Sequence, residues 1–191
     1  MNITILGVSG AVGSFSEEAA FEYVKRVGIK ATMRYLIDME GVLAAIDAGE
    51  VDIGIFPVVN LYGGLVMQAF KAMGRYLFTP IDEQWLLVNQ CLLALPGTSK
   101  NEINQIISHS QGLAQCENYL KQNFRDLEYI EYIDTAKAAH DLAEGRLPLK
   151  SAVIAPKQAA HIYNLKIIDE NIQDSNRNLT AFIIAKKNKV K

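Results

Sequence analysis

A polar segment, Ser108-His109-Ser110-Gln111, joins an apolar run to a stretch of small residues with helical spacing. We interpret it as a strand that ends at the N-terminus of a helix, with Ser108 or Ser110 as the capping residue. The first backbone N–H groups of a helix have no partner inside it, so they can bind an anion. The segment therefore predicts a site for a carboxylate or a phosphate, although an ordinary capped helix in an α/β domain would show the same pattern.

The elements around this segment alternate between strand and helix patterns, which favours a mostly parallel α/β architecture. A short buried strand at residues 2–7 leads into a glycine-rich turn, and Ser16 is the predicted N-cap of the helix that follows. A later strand, at residues 51–56, ends at Pro57 and opens a loop. Open α/β sheets bind ligands at the carboxyl ends of their strands. The loop at residues 57–66 is therefore a second place where we expect binding or chemistry.

The pattern changes from Thr79, where two apolar runs at residues 84–88 and 90–95 are long enough to be extended strands passing between lobes. We predict one lobe from residues 1–78 and 170–191 and another from residues 79–169. The second lobe should contain strands at 103–108, 129–133 and 151–155 and helices at 111–122, 136–144 and 156–163. A last strand, at residues 179–185, returns to the first lobe, and residues 186–191 form a solvated tail.

Composition narrows the classes of function. The chain has 191 residues, half of them hydrophobic, and a net charge of -2 without a basic stripe, which argues against nucleic acid or an anionic membrane surface as a partner. Cys91 and Cys116 are too few for a disulfide scaffold and lack metal-ligand spacing, and the three histidines are scattered, so we expect no metal. The first residues, MNITILG, show no basic region, h-region or cleavage site, and no apolar run has the length of a membrane span, so we expect neither secretion nor a transmembrane segment. We expect a cytoplasmic protein.

A glycine run, Gly7-x-x-Gly10-x-x-Gly13, follows the first strand and opens a helix, which is where a dinucleotide pyrophosphate would bind. The spacing differs from the stronger G-x-G-x-x-G pattern, and Asp38 lies beyond the next strand, where it is only a rough candidate for the ribose-binding acid. A tight turn that needs positive φ explains the glycines equally well. We therefore expect no cofactor.

The segment SHSQGLAQC closely resembles the Ser-His-Pro-Gln-Ala-Leu-x-Gln-Cys segment of prephenate dehydratases, with Ser110 in place of Pro and Gly112 in place of Ala. Further resemblances follow in the same order along nearly the whole chain. They are Leu6-Gly7 with Gly13-Ser14-Phe15-Ser16, Asp52–Pro57 with Asn60 and Gly64, Gln90–Ala94 with Pro96 and Gly97, Thr135-Ala136 with Ala138-Ala139, and Asn171-Ile172 with Asp174, Asn178, Thr180 and Phe182.

The resemblance implies a two-lobed α/β fold with a central cleft, like a type 2 periplasmic binding protein, and a homodimer. It also implies the conversion of prephenate to phenylpyruvate, CO2 and water in phenylalanine biosynthesis. Thr180 matches the family's catalytic threonine and Asn60 its cleft asparagine. Eight further residues are expected to bind a small carboxylate substrate. They are Ser108, His109, Gln111, Gly112, Leu113, Thr135, Arg177 and Phe182.

Three further positions depart from the family pattern. Ala181 stands where the family has Arg, which would remove a bidentate carboxylate clamp, and Val59 and Leu61 replace Glu and Ser. We expect Arg177, just ahead of the last strand, to substitute in part for the missing guanidinium. The departures leave open a prephenate decarboxylase or a module that binds a carboxylate or an amino acid without chemistry. Because the sequence ends before the ACT regulatory domain usually fused to this enzyme, we expect no phenylalanine feedback through this chain.

Overall fold

The computed structural model describes residues 3–188, which divide into two compact units. The first unit contains the residues up to Ala11, Phe15–Leu87 and the residues from Leu179 onward; the second contains Val12–Ser14 and Val88–Asn178. The chain thus passes between units after Leu87 and after Asn178, later than the boundaries predicted at residues 78 and 169. The shift arises because residues 78–87 pair with the last strand in the sheet of the first unit.

The first unit is a mixed sheet with helices on its faces. Its elements are β1 (Thr4–Ser9), α1 (Phe15–Val27), β2 (Ala31–Leu36), α2 (Met39–Ala48), β3 (Ile53–Asn60), β4 (Gly64–Leu65), α3 (Met67–Met73), β5 (Phe78–Leu87) and β11 (Leu179–Lys187). The strand order is β2-β1-β3-β11-β5, with β4 paired to β3. The first three strands are parallel, and β11 runs antiparallel to both of its neighbours.

Two apolar clusters cover the two faces of this first sheet. One includes Phe56, Val58, Ala181 and residues of α2 and α3, and the other includes Ile55, Phe182 and residues of α1. Because side chains alternate along a strand, the consecutive residues Ala181 and Phe182 enter different clusters. Both side chains therefore belong to the core of the first unit.

The second unit is a second mixed sheet. Its elements are β6 (Gln90–Ala94), β7 (Gln105–Ser108), α4 (Ser110–Gln115), α5 (Glu117–Asn123), β8 (Glu128–Glu131), α6 (Thr135–Ala143), β9 (Ser151–Pro156), α7 (Lys157–Ile162) and β10 (Lys166–Asp169). The strand order is β10-β6-β9-β7-β8. β7, β8 and β9 are parallel, whereas β6 runs antiparallel to β9 and to β10. The start of β6 therefore lies at the carboxyl ends of the parallel strands, where Gln90 pairs with Pro156.

Several elements differ from the sequence-based prediction. Strand β10 was not predicted, and the single helix predicted at 111–122 is two helices separated at Cys116. Helix α1 begins at Phe15, so Ser16 lies inside its first turn rather than at its cap. Strand β3 continues past Pro57 to Asn60; this proline lies opposite Phe182 at a register shift, where a proline is tolerated. Asn2 and residues 189–191 of the predicted first strand and tail lie outside the described residues.

The glycine-rich turn has a structural explanation. Gly13 has a φ of 81°, and a Cβ atom there would lie 3.3 Å from Cα of Ala159 in α7. Tyr163 donates a hydrogen bond to the Val12 carbonyl at 2.7 Å, so the turn is packed against the second unit's last helix. These contacts require a glycine whether or not a nucleotide binds.

None of the helices within residues 3–188 is long and apolar enough to cross a membrane. The same residues contain no cluster of three or more His, Cys, Asp or Glu side chains that could hold a metal ion.

Candidate active site

Asn60 and Thr180 meet at the carboxyl edge of the first sheet. Asn60 ends β3 and Thr180 lies near the start of β11, and the antiparallel register places the two residues directly opposite each other. Asn60 Nδ2 donates to Thr180 Oγ1 at 2.9 Å. The pair predicted from the sequence as catalytic is thus brought together by strand pairing, and both side chains are buried.

The Asn60 amide is held in one orientation by its neighbours. Its carbonyl accepts the backbone N–H groups of Tyr62 and Gly63 at 3.0 and 2.6 Å, so the nitrogen must face Thr180. A threonine hydroxyl has one proton to donate, and here its oxygen accepts from Asn60. The Thr180 proton is consequently directed to a different acceptor, which makes this hydroxyl a suitable proton donor to a bound molecule.

The second candidate region is the start of α4, at the carboxyl edge of the second sheet. His109, not Ser108 or Ser110, caps this helix, and its Nδ1 accepts the Gln111 N–H at 3.2 Å. In the neutral ring the proton therefore lies on Nε2, and this N–H group can donate a hydrogen bond to a ligand. The helix has six residues, so its dipole is small compared with that of the longer helix predicted.

Ser108 lies beneath this helix start rather than on its surface. The residue is fully buried, and its hydroxyl donates to the Ile154 carbonyl of β9 at 2.7 Å. A Cβ atom at Gly112 would lie 2.8 Å from Ser108 Oγ, so the glycine lets α4 sit close to the sheet. Both residues, expected from the sequence to bind substrate, have a clear structural role: they set the height of the His109–Leu113 segment above the sheet.

The start of α6 lies at the same edge of the second sheet. Asp134 caps this helix by accepting the Lys137 N–H at 2.8 Å, and Thr135 is its first residue. The methyl group of Thr135 would lie 3.4 Å from a Cβ atom at Gly112, so the two helix starts are neighbours. Burial raises the pKa of the Asp134 carboxyl, against the hydrogen bonds of the helix start and the nearby His109, which lower it.

Gln115 is a candidate residue that sequence reasoning missed. Its side-chain oxygen, Oε1, accepts hydrogen bonds from two buried amides, Gln90 Nε2 at 2.9 Å and Asn178 Nδ2 at 3.0 Å. The amide nitrogen of Gln115 finds no acceptor among residues 3–188, so it is available as a donor to a ligand. The only sequence signal was its place in the motif that ends at Cys116, because helical spacing could not show which way the amide turns.

The structure changes the interpretation of the departures from the family pattern. Ala181 and Val59 are directly opposite each other on neighbouring strands, and both pack with the cluster formed by α2 and α3. The loss of a clamp was expected at Ala181, but this side chain is 5% exposed and belongs to the core. Phe182 is likewise enclosed in the opposite cluster, so its role is to support β11. Arg177 lies in the second unit with an exposed side chain.

Comparison with known proteins adds a family assignment to this geometry. The sequence model described as prephenate dehydratase matches residues 6–190. The chain is 35% identical over 176 residues to arogenate dehydratase/prephenate dehydratase 6, chloroplastic, of Arabidopsis thaliana, an overlap that covers 92% of this chain and 41% of that protein. It is 34% identical over 181 residues to a prephenate dehydratase of Methanocaldococcus jannaschii, covering 94% of this chain and 64% of that protein. The chain thus spans less than two thirds of either relative.

Solved structures support the fold. A prephenate dehydratase of Arthrobacter aurescens, crystallised in complex with L-Phe, superposes with a TM-score of 0.86 at 24% identity, over 97% of this chain and 61% of that chain. A periplasmic substrate-binding protein of an ABC transporter from Coxiella burnetii gives a TM-score of 0.51 at 16% identity, over 97% of this chain and 84% of that chain. The α/β fold predicted from the sequence, like that of a type 2 periplasmic binding protein, is confirmed.

Proposed function

This chain belongs to the prephenate dehydratase family, and we propose that it is a lyase that converts prephenate to phenylpyruvate, CO2 and water in L-phenylalanine biosynthesis. The single observation that carries the proposal is the Asn60–Thr180 pair. A buried amide donates a hydrogen bond to the threonine oxygen, so the threonine proton can be donated to a bound molecule.

The reaction needs one proton donor and little else. The bond from the ring to the carboxylate carbon breaks, its electron pair enters the ring, and the hydroxyl on the opposite side of the ring leaves. A proton from Thr180 joins the departing hydroxyl to give water, and the threonine oxygen then regains a proton from solvent. Aromatisation supplies the driving force, so positioned hydroxyl and amide donors are sufficient.

Further polar groups are proposed to bind the substrate. In our proposal His109 Nε2–H, the Gln115 amide nitrogen and the half-buried residues Gln111, Leu113 and Thr135 bind the substrate carboxylates and ring. Neutral donors suit this task, because they hold the substrate in place of water. A water molecule then does not compete for the departing hydroxyl. Ser108 and Gly112 hold this surface in place. Exposed Arg177 is proposed as a partial electrostatic partner for one carboxylate.

Arogenate, which appears in the plant relative's name, has the same ring and differs in bearing an amino acid side chain, so it is a second substrate to test. The homodimer and the cytoplasmic location expected from the sequence are also part of the proposal. Decarboxylation without loss of the hydroxyl, and binding without chemistry, are the alternatives that the experiment must separate.

Incubation of the purified chain with prephenate tests the proposal. We expect prephenate to disappear and phenylpyruvate to appear in equal amounts. The enol absorbance of phenylpyruvate in alkali and chromatography measure these amounts. Consumption of prephenate without phenylpyruvate would identify a decarboxylase. No turnover of prephenate or arogenate, with thermal stabilisation by either, would identify a binding module.

A further inference from the structure

Three buried side-chain amides form a chain of hydrogen bonds at the start of β6. Asn178 Nδ2 donates to the Val88 carbonyl at 3.3 Å and to Gln115 Oε1 at 3.0 Å, and Gln90 Nε2 donates to the same Gln115 oxygen at 2.9 Å. Each of the three residues is less than 5% exposed. Gln90 and Asn178 lie near the two ends of the longer segment of the second unit, Val88–Asn178.

The hydrogen bonds determine how each amide is turned. The Val88 carbonyl requires the nitrogen of Asn178, and that nitrogen requires the oxygen of Gln115. The oxygen of Gln115 in turn requires the nitrogen of Gln90. Rotation of the Gln90 amide would place two carbonyl oxygens against each other. The network therefore leaves Gln115 with its nitrogen outward and leaves Gln90 with its oxygen unused.

The unused oxygen is a sign that Gln90 is not retained for stability. Gln90 Oε1 is buried and has no hydrogen-bond partner among residues 3–188. A buried acceptor without a partner destabilises the folded state, and an apolar side chain of similar size would avoid that cost. Gln115 Oε1 would still accept from Asn178 in such a variant, so the loss from the network would be one hydrogen bond.

We propose that Gln90 is a positioning residue, which fixes the Gln115 amide so that its nitrogen donates to the bound substrate. This inference rests on the proposed function for the chemistry that it assists. Two donors on one oxygen hold the amide plane of Gln115 more firmly than one donor does, and an amide that can rotate presents its oxygen to a carboxylate for part of the time.

The first test is Gln90→Met, with Gln173→Met as the matched control. Gln173 is also buried and accepts the Gln90 backbone N–H at 2.9 Å, but no hydrogen bond joins its side chain to that of Gln115. We expect Gln90→Met to lower kcat/KM at least tenfold while the midpoint of urea unfolding stays the same or rises. Gln173→Met should lower the midpoint and change kcat/KM less than threefold. The inference is overturned if Gln90→Met loses stability and activity together, as Gln173→Met would in a purely structural network.

Gln90→Glu provides a readout that a structural role would not move. When the introduced carboxyl is protonated it can donate to Gln115 Oε1, and when it is ionised it repels that oxygen. The ionisable groups nearby are the Asp174 carboxylate, the buried thiols of Cys91 and Cys116, and Lys157, which follows Pro156, the strand partner of Gln90. The Lys157 ammonium is exposed and paired with Glu170, so burial should raise the pKa of the introduced carboxyl. We expect activity at low pH to approach that of the wild type and to fall as the pH rises through this pKa. A pH profile parallel to the wild type would contradict the inference.

The positioning role of Gln90 can be tested even if the proposed function is wrong. If the wild-type chain turns over neither prephenate nor arogenate, the proposed function fails. The positioning role is then judged from crystals of Gln90→Met grown with phenylpyruvate. A Gln115 amide that has rotated, or that no longer contacts the ligand carboxylate bound in wild-type crystals, supports the inference. An unchanged amide, or wild-type crystals without a ligand at Gln115, overturns it.

Discussion

The Thr180 hydroxyl is the group on which the proposed chemistry depends most directly. We predict that Thr180→Val, which keeps the shape of the side chain, lowers kcat at least about a hundredfold, the range expected when a general acid is removed. The free energy of unfolding should fall by only about 1 kcal/mol, since Asn60 Nδ2 still donates to the Leu179 carbonyl at 3.3 Å. Steady-state kinetics and urea unfolding measure the two quantities.

Thr180→Ser is the control for this prediction, because serine keeps the hydroxyl and its acceptor role toward Asn60. It should retain at least about a tenth of the wild-type kcat. Equal activity of the valine variant and the wild type would remove Thr180 from the mechanism and would assign proton donation to another group.

At the scale of residues, the sequence indicated which elements carry polar side chains better than it indicated the partners of those side chains. Two family motifs pointed to Ser108 and Phe182, yet Ser108 donates to a backbone carbonyl and Phe182 is part of the core. Gln115 was overlooked, although it belongs to the same motif as Ser108. Residue type and spacing define the element that carries a side chain. The partner that the side chain selects depends on distant residues such as Gln90 and Asn178, which no local pattern connects to it.

At the scale of elements, the pairing of β3 with β11 explains why two departures from the family pattern occur together. Val59 and Ala181 are cross-strand neighbours, and such pairs have Cβ atoms about 5 Å apart. A Glu and an Arg at these positions would face each other, so this chain has an apolar pair where the family pattern would place an ion pair. The replacement changes the packing beside α2 and α3, and the Thr180 hydroxyl and its Asn60 partner remain.

We predict that Ala181→Arg and Val59→Glu each lower the free energy of unfolding by about 3 kcal/mol or more, because each places a charge against the core without a partner. The double variant should lose less free energy of unfolding than the two single variants lose in sum, by at least about 1 kcal/mol. Neither single variant should increase turnover. Urea unfolding of the four proteins in the cycle measures the coupling. Additive effects, or a gain in turnover from Ala181→Arg alone, would show that residue 181 reaches a ligand.

Helix α6 is anchored by a charged cluster around the buried carboxylate of Asp141. Lys137, Tyr132 and Arg146 donate to this carboxylate at 2.5–3.0 Å, and His140 Nδ1 lies 2.9 Å from it. Burial alone would raise the pKa of Asp141, but the hydrogen bonds from Lys137, Tyr132 and His140 hold the pKa well below its ordinary value. The ionised carboxylate therefore stabilises the unit that presents Asp134 and Thr135.

The depressed pKa determines how stability depends on pH. The contribution of Asp141 is complete above the pKa of about 3.9 that an aspartate has in the unfolded chain, and it is lost as the pH falls toward the lower folded-state value. We predict that Asp141→Asn costs about 3 kcal/mol at pH 7 and that the difference from wild type shrinks below pH 4. Urea unfolding at pH 7, 4 and 3 measures this. A difference that is independent of pH would mean that packing, and not charge, makes Asp141 important.

Element prediction succeeded where apolar periodicity was strong and failed where tertiary contacts decide. The alternation of strands and helices gave the α/β class, and the apolar runs marked most strands. The break at Cys116 was not visible, because α4 and α5 share one apolar stripe that packs on the same cluster. Strand β10, with the sequence Lys-Ile-Ile-Asp, was missed because four residues give too little periodicity, and its pairing with β6 is what makes it a strand.

At the scale of the whole molecule, both units use the same arrangement. In each sheet the parallel strands end at one edge, and the antiparallel strand that enters at that edge brings a polar residue to it: Thr180 on β11 and Gln90 on β6. The sequence predicted two lobes but placed both boundaries too early, because an apolar run that crosses between units looks the same on either side of the crossing. The assignment of residues 78–87 to the first unit comes from pairing with β11, which is about 100 residues away in sequence.

Binding of phenylpyruvate, the product of the proposed reaction, should depend on particular polar side chains. Phenylpyruvate, at a concentration about 100 times its measured Kd, should raise the free energy of unfolding by about 2.7 kcal/mol. We expect Thr180→Val and Gln115→Met each to remove most of this gain, whereas Lys121→Ala, an exposed surface change, should leave it intact. Thermal unfolding with and without ligand supplies the measurement for all four proteins. If Gln115→Met abolishes the gain and Thr180→Val leaves it whole, Gln115 binds the ligand and Thr180 does not. Thr180 would then act, if at all, only on the transition state, and comparison of KM with kcat for Thr180→Val would decide that point, because an interaction made only in the transition state lowers kcat without changing KM.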